Sequence, residues 1–396
     1  MQIWYNDRNE KKVGEAMRAL FLSVTAGQGH NQTAKAIMNQ MTQVGYECKF
    51  LDTLEYIAPV LGESVDKSYR MSIAYAPSVY GKVFDMAGRA ERKNAVVNVT
   101  KLVRASLGKE LIDVFYEFQP DVVVSSHCFA AQLAGYIHDE GIYRVPRIGI
   151  LTDYTLHPFW QGASMDAFVT PSSQLTYQLV QAGIDPAIIR PLGIPVNPKF
   201  SQVIDPVQAR TVLGVEQVPT VLVMGGSMGF GNVVDVIWKL DKMPRNFQIL
   251  AVCGSNARLK RKIDAMVTRK RLYTYGFTDQ VDVMMSAAEL IVTKPGGLTV
   301  SEALTKRLPM ALINPIPGQE DHNMDFLTNH GMAMRVTDHC TVDIVVEQLL
   351  GSPERRGMMI RAQETFGNAH ATADLCQLIE QIAQRGLVDE KTENPG

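Results

Sequence analysis

The stretch Ala19-Leu-Phe-Leu-Ser-Val-Thr-Ala-Gly-Gln-Gly-His30 decides the fold of this chain. A short apolar run typical of a strand leads into a glycine-rich turn, and residues 31–43 then follow a helical pattern. Glycines let the backbone approach a ligand, and the N-terminus of the next helix offers unpaired N–H groups and a positive dipole end. This order is typical of parallel α/β sheets, which bind ligands at the carboxyl ends of their strands.

A second glycine-rich loop, Met224-Gly-Gly-Ser-Met-Gly-Phe-Gly231, stands between a strand-like run and a helical segment in the other half of the chain. Neither loop has the G-x-G-x-x-G pattern with an acidic residue about 20 positions on, and neither has the G-x-x-x-x-G-K-[ST] pattern of an ATPase. Tight packing of a strand against a helix is the alternative explanation for one such loop. Two of them, one in each half, predict a cleft lined by both halves.

Short apolar runs alternate with helix-length amphipathic segments, which predicts an α/β protein with two doubly wound, Rossmann-like sheets that face a cleft. Strands are predicted at residues 19–24, 47–51, 121–125, 147–152, 167–170, 220–224, 247–253, 272–275, 290–293, 310–314 and 333–336. Five prolines between 191 and 219 mark the boundary between the halves. The predicted units are an N-terminal domain (1–195), a linker (196–218), a C-terminal domain (219–352), C-terminal helices (353–385) and a flexible tail (386–396). The C-terminal helices could cross back to the N-terminal domain.

Composition excludes several classes of protein. Of the 396 residues, 46% are apolar and 20% are charged, which argues against a disordered or fibrous chain. The net charge of −2 gives no reason to expect nucleic acid as a partner. Five scattered cysteines without a C-x-x-C pair predict neither a disulfide framework nor a structural zinc site. We find no signal peptide and no apolar run of about 20 residues, so the expected location is the cytoplasm.

Residues 67–109 depart from this balance, with nine basic residues against two acidic ones and with interleaved aromatic and aliphatic residues. The pattern favours a basic amphipathic helix that docks on an anionic bilayer, where each basic residue contributes about 1 kcal/mol. A solvated helical face is the alternative. We therefore expect a peripheral protein on the inner face of the cell membrane, contacted through Arg89, Arg92, Lys93, Lys101 and Arg104.

Two residues and one loop are candidates for catalytic or binding roles. His30 stands where the positive end of a helix disfavours the charged imidazolium, which would leave the ring able to accept a proton, although a lone histidine often has no chemical role. Glu302, in the element Lys294-Pro-Gly-Gly-Leu-Thr-Val-Ser-Glu302, could accept hydrogen bonds from two vicinal hydroxyls, as on a ribose. The alternative for Glu302 is an acidic residue that the helix dipole favours. The loop Pro315-Ile-Pro-Gly-Gln-Glu-Asp-His-Asn323 carries the donors and acceptors that sugar hydroxyls require.

No D-x-D motif occurs, so no metal cofactor is expected. The negative charge of a leaving diphosphate would then be met by helix N-termini and backbone N–H groups.

These elements resemble, in order, those of the GT-B glycosyltransferases related to the peptidoglycan N-acetylglucosaminyltransferase. The N-terminal half is more similar still to the monogalactosyldiacylglycerol synthases and processive diacylglycerol glucosyltransferases. The resemblance runs from about residue 18 to residue 336. It is carried by Thr25-Ala-Gly-Gln-Gly-His-Asn-Gln-Thr-Ala-Lys-Ala-Ile37, Thr152-Asp-Tyr-Thr-Leu-His-Pro-Phe-Trp160, Pro191-Leu-Gly-Ile-Pro-Val196, Gly225-Gly-Ser227, residues 294–303 and Gly318-Gln-Glu320.

The resemblance implies an inverting transferase that moves a hexose from a UDP-sugar to diacylglycerol or a glycolipid. His30 would be the general base, or would at least position the acceptor, with Gly29, Asp153 and His157 on the acceptor side. In the plant-type enzymes the first loop is richer in glycine, whereas here Gln28 separates two glycines. The implied donor-binding residues are Gly225, Gly226, Ser227, Gly296, Gly297, Leu298 and Thr299 for the diphosphate, Glu302 for the ribose, Gln319 and Glu320 for the sugar, Asn256 and Phe277 for the uracil, and Lys294 and Asn323 nearby.

Three other functions fit the same motifs. A UDP-sugar 2-epimerase on this fold would change its substrate without an acceptor. A transferase for another lipid-linked acceptor would use the same donor site. A nucleotide-sugar-gated membrane-binding protein would bind the donor without transferring it.

Overall fold

The first half of the chain folds into a six-stranded parallel sheet. The computed structural model describes residues 16–25, 28–61, 108–226, 229 and 232–393. The strands of this sheet are β1 (Arg18–Ser23), β2 (Glu47–Asp52), β3 (Val122–Ser125), β4 (Arg147–Ile150), β5 (Ala167–Val169) and β6 (Ile189–Arg190). Their order is β2-β1-β3-β4-β5-β6.

The second half repeats this architecture. Its strands are β7 (Thr220–Met224), β8 (Gln248–Val252), β9 (Leu272–Tyr275), β10 (Leu290–Thr293), β11 (Met310–Leu312) and β12 (Met334–Arg335), in the order β12-β11-β10-β7-β8-β9. Each strand predicted from the sequence is present. The strand β6 was not predicted, because two residues before a proline carry too little alternation to be recognised.

Helices connect the parallel strands and cover both faces of each sheet. In the first half they are α1 (Gly29–Gln43), α2 (Thr53–Leu61), α3 (Ile112–Phe118), α4 (Cys128–Asp139) and α5 (Thr176–Gln181). The remaining helices of the described residues are α6 (Pro206–Leu213), α7 (Val233–Asp241), α8 (Ala257–Asp264), α9 (Val281–Ala287), α10 (Gly297–Thr305), α11 (Gln319–Asn329), α12 (Val342–Gly351), α13 (Pro353–Phe366) and α14 (Ala371–Glu393).

The strand β1 shows why this sheet lies in the middle of its domain. Ala19 and Phe21 pack on one face of the sheet with Ile37 of α1, whereas Leu20 and Leu22 pack on the other face with α4. All four strand residues are fully buried. Because side chains of a strand alternate between faces, a strand that is apolar at every position must be covered on both sides.

The last helix returns to the first domain. Leu375, Ile379 and Ala383 of α14 pack in the same cluster as β1 and α1. The helix continues to Glu393, so most of the segment expected to be a flexible tail is helical. The prediction of a tail relied on the charged residues and on the final Pro-Gly. Charged residues such as glutamate and lysine are, however, compatible with a helix.

The proline-rich linker contains a helix, although its prolines predicted irregular structure. Asp205 caps α6 by accepting hydrogen bonds from two backbone N–H groups, and Pro206 occupies the first turn, where its missing N–H costs nothing. Arg210 then donates to the carbonyl of Ala287 at 3.1 Å and to Glu289 at 2.6 Å. This end of the predicted linker therefore packs as part of the second domain.

Candidate active site

His30 lies in the first turn of α1, directly after the carboxyl end of β1. Its Nδ1 is 2.9 Å from the carbonyl oxygen of Ser126 and 2.9 Å from Oγ1 of Thr152. Because a carbonyl oxygen can only accept a hydrogen bond, we assign a proton to Nδ1, and in the neutral ring the lone pair is then on Nε2. This tautomer gives His30 the unprotonated nitrogen that a general base requires.

A hydrogen-bond network surrounds the start of α1, where this histidine lies. The side chain of Asn31 accepts from Oγ of Ser23 at 2.6 Å and donates to Oγ1 of Thr25 at 2.7 Å. Oγ of Ser126 donates to Oγ of Ser23 at 2.9 Å, and Thr25 donates to Asp52. The network joins β1, β2, β3 and α1 at the point where the carbonyl partner of the histidine lies.

Two more histidines follow the neighbouring strands. The rings of His30 and His127 meet edge to face, with their centroids 4.7 Å apart. Nδ1 of His127 accepts from the N–H of Phe129 at 3.2 Å, and Nδ1 of His157 accepts from the N–H of Phe159 at 3.1 Å. Burial lowers the pKa of His157 to about 4 and holds the pKa of His127 well below its usual value, and the nearby His30 ring disfavours a second positive charge in the same direction. His30 is therefore flanked by two imidazoles that are neutral at pH 7.

The segment after β4 joins the two domains. Oδ1 of Asn323 accepts from the N–H of Tyr154 at 2.6 Å, and its Nδ2 donates to Oδ1 of Asp153 at 2.8 Å and to the carbonyl of Pro295 at 3.0 Å. The hydroxyls of Tyr154 and Ser301 are 3.1 Å apart. Asn323 was predicted among the donor-binding residues, but it is fully buried and its amide is engaged by these protein groups. In this structure it is a contact between domains.

The N-terminus of α10 packs directly on the same segment. A Cβ placed on Gly297 would lie 1.8 Å from the carbonyl oxygen of Thr152, so only glycine fits there. Cβ of Leu298 lies 3.7 Å from the position that a Cβ of Gly29 would occupy. The predicted acceptor loop and the predicted diphosphate site thus touch across the domain boundary.

Three donor-side loops meet around Lys294. They follow β7, β10 and β11, which are adjacent in the second sheet. Nζ of Lys294 is 2.6 Å from Oε1 of Glu320, whose Oε2 accepts from the N–H of Ile316 at 2.8 Å. Gly226 has a φ of 72°, and a Cβ there would lie 2.9 Å from Cε of Lys294. The structure therefore brings a cation, a predicted diphosphate loop and a predicted sugar-binding carboxylate together.

Glu302 lies in the second turn of α10, among charged side chains. Burial raises its pKa to about 8, while Lys199 lowers this pKa and Asp282 raises it further. The carboxyl group is therefore mainly protonated at neutral pH, and it can both donate and accept hydrogen bonds.

The other predicted donor residues lie at the same edge of the second sheet. Asn256 caps α8 by accepting from the N–H of Leu259 at 2.8 Å, and its Nδ2 reaches the carbonyl of Gly229 at 3.4 Å. Phe277 follows β9 with a side chain that is 70% exposed, which leaves its ring open to stacking. The first turn of α10 also holds Thr299, α11 begins at Gln319, and Gly225 follows β7. Predicted residues outside the described part of the chain are Ser227, Arg89, Arg92, Lys93, Lys101 and Arg104.

Sequence reasoning missed several residues of this site. Ser126, His127 and Thr152 surround the predicted base, and Tyr154 and Ser301 hold the domains together. A signal was present, since polar residues come directly after the buried strands β3 and β4. Their role depends on the strand order, which places β3 directly beside β1 and β4 on the far side of β3.

Within residues 16–25, 28–61, 108–226, 229 and 232–393, no group of three or more His, Cys, Asp or Glu side chains is placed to hold a metal ion. None of the helices in this described part has the length and apolar character of a membrane span.

Both halves of the chain match known protein families. Residues 30–196 match monogalactosyldiacylglycerol (MGDG) synthase, and residues 220–375 match the glycosyltransferase family 28 C-terminal domain. The chain is a GT-B glycosyltransferase of the MGDG synthase group. It is 26% identical over 343 residues to the processive diacylglycerol beta-glucosyltransferase of Bacillus subtilis (strain 168), covering 85% of this chain and 88% of that one.

Solved structures share the fold of this glycosyltransferase. MurG of Acinetobacter baumannii has a TM-score of 0.59 at 14% identity, over 92% of this chain and 99% of that chain. The UDP-GlcNAc 2-epimerase of Neisseria meningitidis, bound to UDP-GlcNAc, has a TM-score of 0.58 at 13% identity, over 92% and 100% of the two chains. At these identities the likeness extends to the fold alone, whereas the family matches select a transferase. The predicted family and GT-B fold are confirmed.

Proposed function

We propose that this glycosyltransferase moves a hexose from a UDP-sugar to a hydroxyl of diacylglycerol or of a glycolipid, with inversion at the anomeric carbon. The observation that carries the proposal is the position of His30, whose Nδ1 is held by the Ser126 carbonyl beside the N-terminus of α10. The Bacillus subtilis relative is named for diacylglycerol and for a beta linkage. Because UDP-glucose carries its sugar in alpha linkage, a beta product requires inversion.

The reaction needs a base and a way to stabilise the leaving group. Nε2 of His30 takes the proton of the acceptor hydroxyl while the hydroxyl oxygen attacks the anomeric carbon. The bond from that carbon to the diphosphate breaks, and its electron pair stays on UDP. A positioned base contributes about 10²–10⁴-fold to the rate. The N-termini of α10 and α11, which point positive dipole ends at the donor side, favour the charge that develops on the diphosphate.

The donor hexose is proposed to be glucose, the sugar in the name of the Bacillus subtilis relative. The test is a screen of UDP-glucose, UDP-galactose and UDP-N-acetylglucosamine with diacylglycerol in micelles, in which the products are read by mass. A product that contains galactose would contradict the choice of glucose. Conversion of a UDP-sugar without any acceptor would instead indicate an epimerase.

The acceptor is proposed to be reached at an anionic membrane surface, through the basic residues between 67 and 109. Attraction of this kind weakens with salt, because ions screen exposed charges over about 10 Å at 0.1 M. Co-sedimentation with vesicles should therefore depend on anionic lipid and fall as salt is added. Binding that ignores both lipid charge and salt would contradict this role.

The role of His30 is tested by the His30→Ala variant. We expect kcat to fall by at least ~100-fold, with UDP affinity unchanged, because the base acts on the acceptor and not on the nucleotide. The control is His339→Ala, which removes an exposed histidine between β12 and α12. Near-normal turnover of the His30→Ala protein would remove His30 from the mechanism.

A further inference from the structure

We propose that Lys294 changes its ionic partner during the reaction, leaving Glu320 for the diphosphate of the donor when the donor binds. The exchange makes Lys294 the residue that neutralises the leaving group, and it frees Glu320 to accept hydrogen bonds from the hexose. The inference rests on the proposed function and deepens it, because it assigns the diphosphate to Lys294 and the sugar to Glu320, the two members of one ion pair.

The first support is the position of the ammonium group. Lys294 follows β10, and the loops on either side of it follow β7 and β11, the two strands that flank β10 in the sheet. The position that a Cβ of Gly226 would occupy is 3.9 Å from Nζ of Lys294. A diphosphate bound at Gly226 therefore lies within reach of this cation.

The second support is the repulsion that the present arrangement would impose on a diphosphate. Oε1 of Glu320 lies 3.5 Å from the Cβ position of Gly296, at the N-terminus of α10 where the diphosphate is expected. The side chains of Lys294 and Glu320 are only 17% and 12% exposed, so water screens them little. A carboxylate in that place repels an incoming phosphate unless it turns away from the helix N-terminus.

The third support is that Glu320 can release one oxygen and keep the other in place. Its Oε2 accepts from the backbone N–H of Ile316 at 2.8 Å, independently of the contact between Oε1 and Lys294. The carboxylate can thus stay anchored through Oε2 while Oε1 turns away from the N-terminus of α10 and the ammonium group turns to the phosphate. Glu320 is the second residue of α11, next to Gln319, so the freed oxygen stays on the side predicted to meet the sugar.

The exchange balances charge through the reaction. When the anomeric C–O bond breaks, the electron pair passes to the diphosphate, and the ammonium group of Lys294 is already beside it. The acceptor proton passes to His30, so no proton has to come from Lys294. Release of UDP then restores the pair of Lys294 with Glu320.

Titration calorimetry with UDP and with uridine tests the exchange. Lys294→Met should weaken UDP binding by about tenfold or more, the usual effect of one hydrogen bond to a charged group, and leave uridine binding unchanged. Glu320→Gln should tighten UDP binding by up to about fivefold, since the competing carboxylate is gone, while kcat/KM for the UDP-hexose falls. Lys242→Met, which removes an exposed lysine after α7, should change neither.

The opposite shifts in UDP affinity and in turnover for Glu320→Gln separate the exchange from a permanent, structural pair. A permanent pair predicts weaker UDP binding in this variant, and that result overturns the proposal, as does unchanged UDP binding in Lys294→Met. Uridine binding shows that each variant is folded, and Lys294→Arg, which keeps the charge, should retain UDP binding. If the wild-type protein binds neither uridine nor UDP, the proposed function itself fails.

Discussion

Replacing Gly297 with alanine should separate the two domains at the point where they meet and should lower kcat by about 100-fold. The added Cβ would lie 1.8 Å from the carbonyl oxygen of Thr152, whereas Cβ atoms essentially never approach another heavy atom within 3.0 Å. The two segments must therefore move apart by more than about an ångström, because packed backbone has little room to yield.

The displacement reaches the proposed base through one residue. Oγ1 of Thr152 lies 2.9 Å from Nδ1 of His30, so a shift of Thr152 changes both the position of the base and its distance from the donor. A misplacement of about 1 Å is enough for a loss of about 100-fold in rate. Uridine binding should be unchanged, since the predicted ribose and uracil residues all lie in the second domain.

The assay compares kcat for transfer with the affinity for uridine measured by calorimetry. The matched control is Gly357→Ala in α13, in which the new methyl group would meet Nη1 of Arg361 at 3.4 Å, an ordinary contact. This control should keep the domain contact and most of the turnover. A Gly297→Ala protein with the kcat of the wild type would refute the claim that the contact of Gly297 with Thr152 positions the base.

Three other outcomes follow. Burial raises the pKa of Glu302 to about 8, and ribose hydroxyls bind better to an ionised carboxylate. The affinity for uridine should therefore rise with pH and level off above that value. An equal rise in the Glu302→Gln variant would contradict this role of Glu302. The pKa of His157 is lowered from 6.5 to about 4, so the unfolded chain takes up this proton first, and up to about 3 kcal/mol of stability should be lost as pH falls between these values. Urea unfolding of the wild type and of His157→Gln, measured across this pH range, gives that loss. If the stability of both proteins falls equally with pH, His157 is not its cause. EDTA should leave kcat unchanged. Activity that is lost with EDTA and regained with Mg²⁺ would show that the reaction requires a metal ion.

The elements of the fold could be predicted because their signals are local. The run Thr220–Met224 is apolar at every position after Thr220, three of its five residues are β-branched, and it is bounded by Pro219 and Gly225, so its character and ends are visible in the sequence. The helix α6 was missed because its Asp205–Pro206 start resembles a break in structure when prolines are only counted. Local rules identify a helix start only when the capping residue is read together with the proline.

The candidate site was predictable only in part. His30, Lys294 and Glu302 stand on loops or helices that follow apolar strands, and this pattern selects residues at the ligand-binding edge of a parallel sheet. Asn323 stands on such a helix too, yet its amide faces the other domain instead of the cleft. Nothing within a single loop shows which of its polar side chains will meet a ligand and which will meet protein.

The order of apolar runs, glycine turns and amphipathic helices was sufficient to specify two α/β domains and the edges at which they bind ligands, because hydrophobic periodicity and backbone freedom act over a few residues. The contact of Thr152 with Gly297, the carbonyl partner of His30 and the pairing of Lys294 with Glu320 required the folded molecule. These contacts join residues that are far apart in the chain, and their geometry depends on how strands are ordered in each sheet and on how the two domains pack.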